Sequence, residues 1–208
     1  MDATISAPTL ITSAIALLTI TNPIGTLPIF LSLTKDATPA KQRRMAIMIG
    51  IAVIVVLAVS LAAGMFILGL FGIDMTAFKI AGNLLVASIG WAMLTAKSSP
   101  ITVAPGQSPV VVPLAIPVLA GPGAIALVIT FAHSYTTVLD WVAGAVTILV
   151  VGLIVGIVYF AGPTIAKLLK TTGMDILTRV FGLLLLSIAL QTILSSLGEA
   201  FPGWVPAT

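Results

Sequence analysis

Cysteine is missing from all 208 residues, which removes disulfides, thiolate nucleophiles and Cys-ligated metals. Histidine occurs once and the six Asp and Glu are scattered, so no metal site is expected. Charge is scarce as well: 7% of residues are Asp, Glu, Lys or Arg, against about 25% in an ordinary soluble domain. So few charges cannot cover the water-exposed surface of a fold this size. With 59% apolar residues, a soluble globule is excluded and an integral membrane protein is indicated, polar cover being needed only at its two rims. The net charge of +3 then speaks of topology in a bilayer, and no nucleic-acid partner is expected. The first apolar stretch, Ala3 to Thr34, has no basic segment before it, so it reads as a span and not as a cleaved signal.

The charges bound six uncharged runs: Ala3 to Thr34, Met45 to Ile73, Ile80 to Ala96, Ser98 to Leu139, Trp141 to Ala166 and Val180 to Gly198. A spanning helix needs roughly 20 residues, so six transmembrane helices are expected, the fourth run giving up its first residues to a loop. The connections after the first, third and fifth helices hold Lys35, Lys41, Arg43, Arg44, Lys97, Lys167, Lys170 and Arg179; the opposite side holds only Lys79. By the positive-inside rule those three connections are cytoplasmic and both termini lie outside. Trp141, Trp204, Trp91 and Tyr135 fall near the expected interfaces, where amphipathic rings are favoured.

The stretch Gly72-Ile-Asp74 through Lys79, Gly82 and Leu85 can be laid over Gly173-Met-Asp175 through Arg179, Gly182 and Leu185 with one gap. At a similar offset, Asn22-Pro23-Ile-Gly25 faces Gly121-Pro122-Gly123-Ala124. Three helices per half is odd, so two copies must cross in opposite directions, an architecture common among secondary transporters. The expected fold is an all-α membrane protein of six transmembrane helices in two inverted three-helix repeats, the first helix of each broken at the midplane. The first repeat covers residues 1–96, a cytoplasmic linker loop 97–109, and the inverted second repeat 110–208.

Placing the breaks at the midplane follows from helix rise. A first helix beginning near Leu10 puts Asn22 about 18 Å along it, near the middle of a ~30 Å core. Proline lacks an N–H and clashes with the preceding turn, so Pro23 and Pro122 should each end one half-helix and begin another. Asn22 suits the N-cap. Irregular backbone at this depth survives only where it is buried in protein or lines a cavity. The new helix starts, around Gly25 and Thr26 and around Gly123 and Ala124, offer unpaired N–H groups and partial positive charge. The preceding ends, near Ile20 and Ala120, offer carbonyls to an ammonium. One small zwitterion satisfies both, and the surrounding Gly and Ala leave little room for a side chain, so a small neutral amino acid is the expected partner besides the bilayer. The expected binding residues are Thr21, Asn22, Pro23, Gly25, Thr26, Gly121, Pro122, Gly123 and Ala124, with Gln191 as a polar group inside the last span; Asn83 is another, and interhelical hydrogen bonding is the alternative role for both.

Lys79 and Arg179 occupy equivalent places in the repeat. Asp175 precedes Arg179 by four, a favourable helical spacing, and Asp74 precedes Lys79 by five, a poorer one. Lys79, Asp175 and Arg179 are read as gating or coupling groups, with interfacial snorkelling as the rival role. No cofactor is expected. A coupling ion, proton or sodium, would have to use backbone carbonyls, hydroxyls such as those of Thr19, Thr21 and Thr26, or the rim acids, because no carboxylate lies in the middle of a span. Gly152 with Gly156, and Ser60 with Gly64, have the small-xxx-small spacing of packing faces. His133 reads as an interface residue.

Asn22-Pro-Ile-Gly-Thr-Leu-Pro-Ile-Phe-Leu-Ser-Leu-Thr34, Val112-Pro-Leu-Ala-Ile-Pro-Val-Leu-Ala-Gly-Pro-Gly123, Phe71-Gly-Ile and the region from Arg179 to Gln191 together resemble the MarC family of bacterial and archaeal membrane proteins, across essentially all six spans. The resemblance implies a six-helix protein of the cytoplasmic (inner) membrane, related to the LysE-type exporters and carrying small neutral amino acids such as alanine and glycine. Two positions depart from the family pattern: Lys79 stands where Arg is usual, and Asp74 where a small hydroxyl residue is common. The function expected is a secondary transporter of glycine- or alanine-sized amino acids working by alternating access. The alternatives are an aquaporin-like channel for a small neutral solute and an exporter of another small metabolite or a drug. An intramembrane Ser/His hydrolase is disfavoured because the single His lies at a rim, far in sequence from Ser60, Ser88 and Ser187, so no enzyme is expected.

Overall fold

The computed structural model describes residues 7–95 and 119–201. Within them the chain is helical apart from short connections, and no strand occurs among the described residues. The expected linker 97–109, Lys97, Trp204 and the start of the fourth span up to residue 118 lie outside the described residues.

Helix α1 (Ala7–Thr21) and helix α2 (Pro23–Leu33) meet at Asn22. Helix α3 (Pro39–Leu70) begins with Thr38 as N-cap and Pro39 at its first position, the arrangement that satisfies an orphan N–H and wastes none on proline. It ends in a Schellman turn: Ile73 N–H donates to Leu68 O at 2.9 Å and Gly72 N–H to Gly69 O at 3.1 Å, with Gly72 at φ +63°, a conformation glycine adopts without Cβ strain. Asp74 then caps helix α4 (Met75–Thr95), accepting from Thr76 N–H at 2.7 Å and Ala77 N–H at 3.3 Å. These backbone donors hold the Asp74 carboxyl below its ordinary range. Helix α5 runs Pro122–Ser134. Thr137 and Asp140 form a reciprocal capping box at the next start. The helical run from Val138 to Ala200 is interrupted at Lys170, φ 55° and ψ −174°, which divides it into α6 (Val138–Lys170) and α7 (Thr172–Ala200).

Among the described residues, five segments are long and apolar enough to cross a membrane: Ile11–Leu33, α3, α4, α6 and α7. Six were expected. The difference lies in the fourth span, of which α5 supplies 13 residues, too few to cross alone at ~1.5 Å per residue. The turn between α6 and α7 also falls at Lys170, three residues before the Gly173 that the repeat sets against Gly72. Gly173 lies inside α7, so only the first of these two glycines makes a turn.

Helices α3 and α6 cross antiparallel where Gly50 meets Gly152 and Gly156; a Cβ on Gly50 would lie 2.8 Å from Gly152 O. Helices α4 and α7 do the same at Gly90 and Gly182: a Cβ on Gly90 would lie 2.9 Å from Gly182 O, and one on Gly182 2.9 Å from Leu94 N. Small residues let these backbones approach as closely as helices do in a bilayer. The shared core gathers Leu17, Phe30, Ile49, Val53, Leu57, Ile89, Val128, Val155 and Tyr159. Outside it the long helices expose apolar faces, Phe66 by 72% and Ile157 by 67%, the surface expected of a protein solvated by lipid.

Candidate functional site

Asn22 holds φ 40° and ψ 60°, a left-handed conformation that Asn tolerates better than most residues because its short side chain can bond locally. Its Oδ1 accepts from Gly25 N–H at 3.1 Å, so the start of α2 carries its own cap. Pro23, next in line, offers no N–H to the Thr19 carbonyl one turn earlier. Thr21 is buried and its hydroxyl donates to Leu18 O at 3.2 Å. Thr26, fully buried, donates to Asn22 O at 3.0 Å and accepts from the Tyr159 hydroxyl at 2.8 Å. Gly25 is packed so tightly that a Cβ there would overlap the Asn22 side chain and reach within 2.7 Å of Phe181 Cδ1. Thr21, Pro23, Gly25 and Thr26 of the first break are therefore buried against protein, Asn22 is half-buried, and Ile24 is exposed.

The second helix start is different. Gly121, at φ −73° and ψ 173°, supplies no side-chain cap to α5. Gly121, Gly123 and Ala124 line a cavity of about 280 Å³ together with Ile20, Asn83 and Thr192. A Cβ on Gly123 would find Ile20 Cγ2 at 3.3 Å and the Asn83 amide atoms at 4.0 Å. Pro122 is turned away from this space and packs on Gly82 of α4. Ile20 is where the end of α1 meets the start of α5, so the two breaks approach one another through it, but only the second opens on the cavity.

At the mouth of this cavity Lys79 Nζ pairs with Glu199 of α7 at 3.3 Å. The pairing of Lys79 with Asp74 weighed from the sequence is replaced: Asp74 is occupied with capping α4, and the partner lies on another helix, where no local spacing could reveal it. Asp175 and Arg179 are not ion-paired, Lys79 with Glu199 being the one salt bridge among the described residues. They line a second, larger cavity of about 910 Å³, with Lys35, Lys167, Lys170 and Pro28 of α2. Gln191 joins neither cavity and is exposed on the outer side of α7. Leu185, Ile188, Thr192, Ser196 and Glu199 form the stripe that faces the smaller cavity, a helical repeat of three and four; Gln191 falls off it by one residue, and Thr192 lies on it.

The two cavities lie at opposite ends of the α4–α7 pair. The smaller uses Lys79, Asn83 and Val86 of α4, the larger Ala92 and Met93; Lys79 and Ala92 are about 20 Å apart along the helix. Between the cavities stands the Gly90–Gly182 crossing. Tyr159 and Phe181, which clamp α2, were not singled out by sequence. A buried tyrosine in an otherwise apolar helix is the signal that could have found the first, since its hydroxyl needs a partner in such surroundings; Tyr159 also stacks on Phe30, centroids 4.8 Å apart.

Long apolar helices, a lipid-type exterior and charges gathered at the helix ends define an integral, all-helical, multi-span membrane protein. The chain belongs to the MarC family of integral membrane proteins, whose model matches residues 7–201. It is similar to the UPF0056 membrane protein YhcE of Escherichia coli strain K12, 32% identical over 197 residues, 91% of this chain and 92% of that one. A UPF0056 membrane protein of Pyrococcus abyssi is 34% identical over 191 residues, 90% and 93% of the two chains. The UPF0056 inner membrane protein MarC of Escherichia coli O1:K1 is 30% identical over 203 residues, 89% and 92%. No solved structure matches the chain.

Proposed function

We propose that this protein is a secondary transporter of glycine- and alanine-sized neutral amino acids that works by alternating access in the cytoplasmic membrane. The observation that carries the reading is the uncapped start of α5 opening on a cavity of about 280 Å³, with a second cavity beyond the Gly90–Gly182 crossing. The first N–H groups of a helix lack intrahelical partners and carry partial positive charge, so those of Gly123 and Ala124 suit a carboxylate. Asn83 and the Lys79–Glu199 pair supply polar groups nearby. The space lies at the lower edge of the roughly 300–1,000 Å³ of drug-sized sites, which suits a small ligand, and the Gly and Ala residues at the helix start are what favour a short side chain beside it.

In this reading residues 1–96 and 110–208 are inverted repeats joined by 97–109, with both termini outside. Two reciprocal contacts support it: Gly82 of α4 packs on Pro122 at the second break, and Phe181 of α7 packs on Gly25 at the first. Rocking the repeats about the α4–α7 crossing would open one cavity while closing the other, with Lys79 and Glu199 gating one end and Asp175 and Arg179 the other. The test is counterflow of labelled glycine and alanine in proteoliposomes, with leucine as the oversized control. Saturable exchange of the small substrates alone is expected; equal flux of all three, or none under imposed proton and sodium gradients, overturns the assignment.

A further inference from the structure

On the outside of the bundle, where α3 crosses α6, the three glycines Gly50, Gly152 and Gly156 leave a groove of about 290 Å³ with no side chains on its floor. Its walls are apolar, and Ile51, Leu153 and Ile157 on its rim are 55%, 53% and 67% exposed, so it opens sideways toward lipid. One end is closed by Phe160, and the Arg43 guanidinium lies 5.1 Å over the Phe160 ring. Arg43, Ile47, Gly50, Ile51 and Ile54 fall on one stripe of α3 at the helical spacing, so the charge stands in line with the groove. Arg43 has no carboxylate partner among the described residues, and Arg44 follows it, also exposed.

We propose that this groove binds an anionic phospholipid, one acyl chain lying along the glycine floor and the phosphate resting on Arg43 and Arg44. An apolar slot with Arg43 at its end, without a carboxylate partner among the described residues, and Arg44 next to it in the chain, is complementary to a lipid that carries an acyl chain and an anionic headgroup. A second copy of the chain fits less well: a two-fold axis along the membrane normal through this face would set the arginines of two copies at the same depth, like charge against like.

The protein in detergent is titrated separately with phosphatidylglycerol and phosphatidylcholine, and bound lipid is counted by native mass spectrometry. Phosphatidylglycerol is expected to bind more tightly, and Arg43→Gln to weaken it about fivefold, the effect of one basic side chain at a membrane surface, while Arg43→Lys keeps most of the preference. Ile157→Trp, which fills the groove and leaves both arginines, should weaken both lipids. Lys35→Gln, a charge in the larger cavity, should leave the lipid ratio unchanged. Equal binding of the two lipids by the unaltered protein, or an equal loss with Lys35→Gln, overturns the proposal. So does displacement of the lipid by inorganic phosphate, which would make this a site for a free anion. A dimer that Ile157→Trp converts to monomer would assign the groove to a second copy instead.

Discussion

Of the three described helices that start at a proline, α2 and α5 begin within apolar stretches of the chain, and they are finished differently. At α2 the preceding Asn22 folds into a left-handed conformation and turns its own side chain onto Gly25 N–H at 3.1 Å. At α5 the preceding Gly121 has nothing to turn, and Gly121, Gly123 and Ala124 line a cavity. One start satisfies itself and packs against Phe181 and Tyr159; the other has no side-chain cap and lies beside a cavity. The same sequence device, a Pro at the first helical position, thus forms a side-chain-capped joint at α2 and an uncapped start beside a cavity at α5.

The glycines that follow the two prolines should separate these roles most sharply. Gly123→Leu places a side chain in the cavity with its nearest neighbours at ordinary or slightly tight distances, so we expect exchange to fall to the level of empty liposomes while thermal unfolding in detergent changes little. Gly25→Ala adds one methyl against the Asn22 side chain and Phe181, overpacking that costs about 1–3 kcal/mol and should appear as a lower unfolding midpoint and poorer yield. If Gly123→Leu unfolds the protein and Gly25→Ala abolishes exchange without destabilising it, the two starts have been assigned the wrong way round.

The cap itself gives the next effect in size. Asn22→Ala removes the side-chain acceptor and places a Cβ-bearing residue with no local hydrogen bond in the left-handed region; loss of an N-cap alone costs about 1 kcal/mol. Asn22→Gly relieves the conformation and should cost only a few tenths. The order of unfolding midpoints, wild type near Gly and both above Ala, distinguishes a capping role from direct substrate contact, which neither replacement could supply. Tyr159→Phe sharpens the same point from the other side of α2. It removes one buried donor to Thr26 and keeps the stack on Phe30, so a loss of about 1 kcal/mol is expected in stability and no change in the apparent affinity for substrate.

Much of this was legible in the chain. Runs between charges mark the long helices, since a charge within lipid is costly enough to confine Lys, Arg, Asp and Glu to the ends. The Asn-Pro and Gly-Pro pairs mark the two helix starts because proline's missing N–H is a local property. What sequence could not give is which start is open: that depends on Phe181 and Tyr159, far along the chain, covering one and not the other. Nor could it give Glu199 as the partner of Lys79, for the same reason. Gln191 stands out in the sequence by its chemistry, a polar residue among apolar ones, whereas the side of α7 that lines the smaller cavity carries Thr192.

The smallest expected effect comes from a third start, that of α4, where the cap is charged and lies in a connection outside the spans. Asp74 accepts two backbone N–H bonds that favour its ionised form, so its carboxyl titrates lower in the folded protein than its ordinary value of 3.8. A depressed folded pKa means that the contribution is fully present above the unfolded value and is lost as pH falls through the folded one. The Asp74 side chain is exposed, so the effect is a shallow acid limb on the unfolding midpoint below about pH 4. Asp74→Asn keeps an N-cap acceptor and removes the titration, and is expected to flatten that limb while leaving the midpoint at neutral pH close to wild type. The neutral cap at Asn22 has no such limb to lose. An acid limb unchanged in Asp74→Asn would mean that other carboxylates set the acid stability and that the α4 cap works by geometry alone, as the Asn22 cap does.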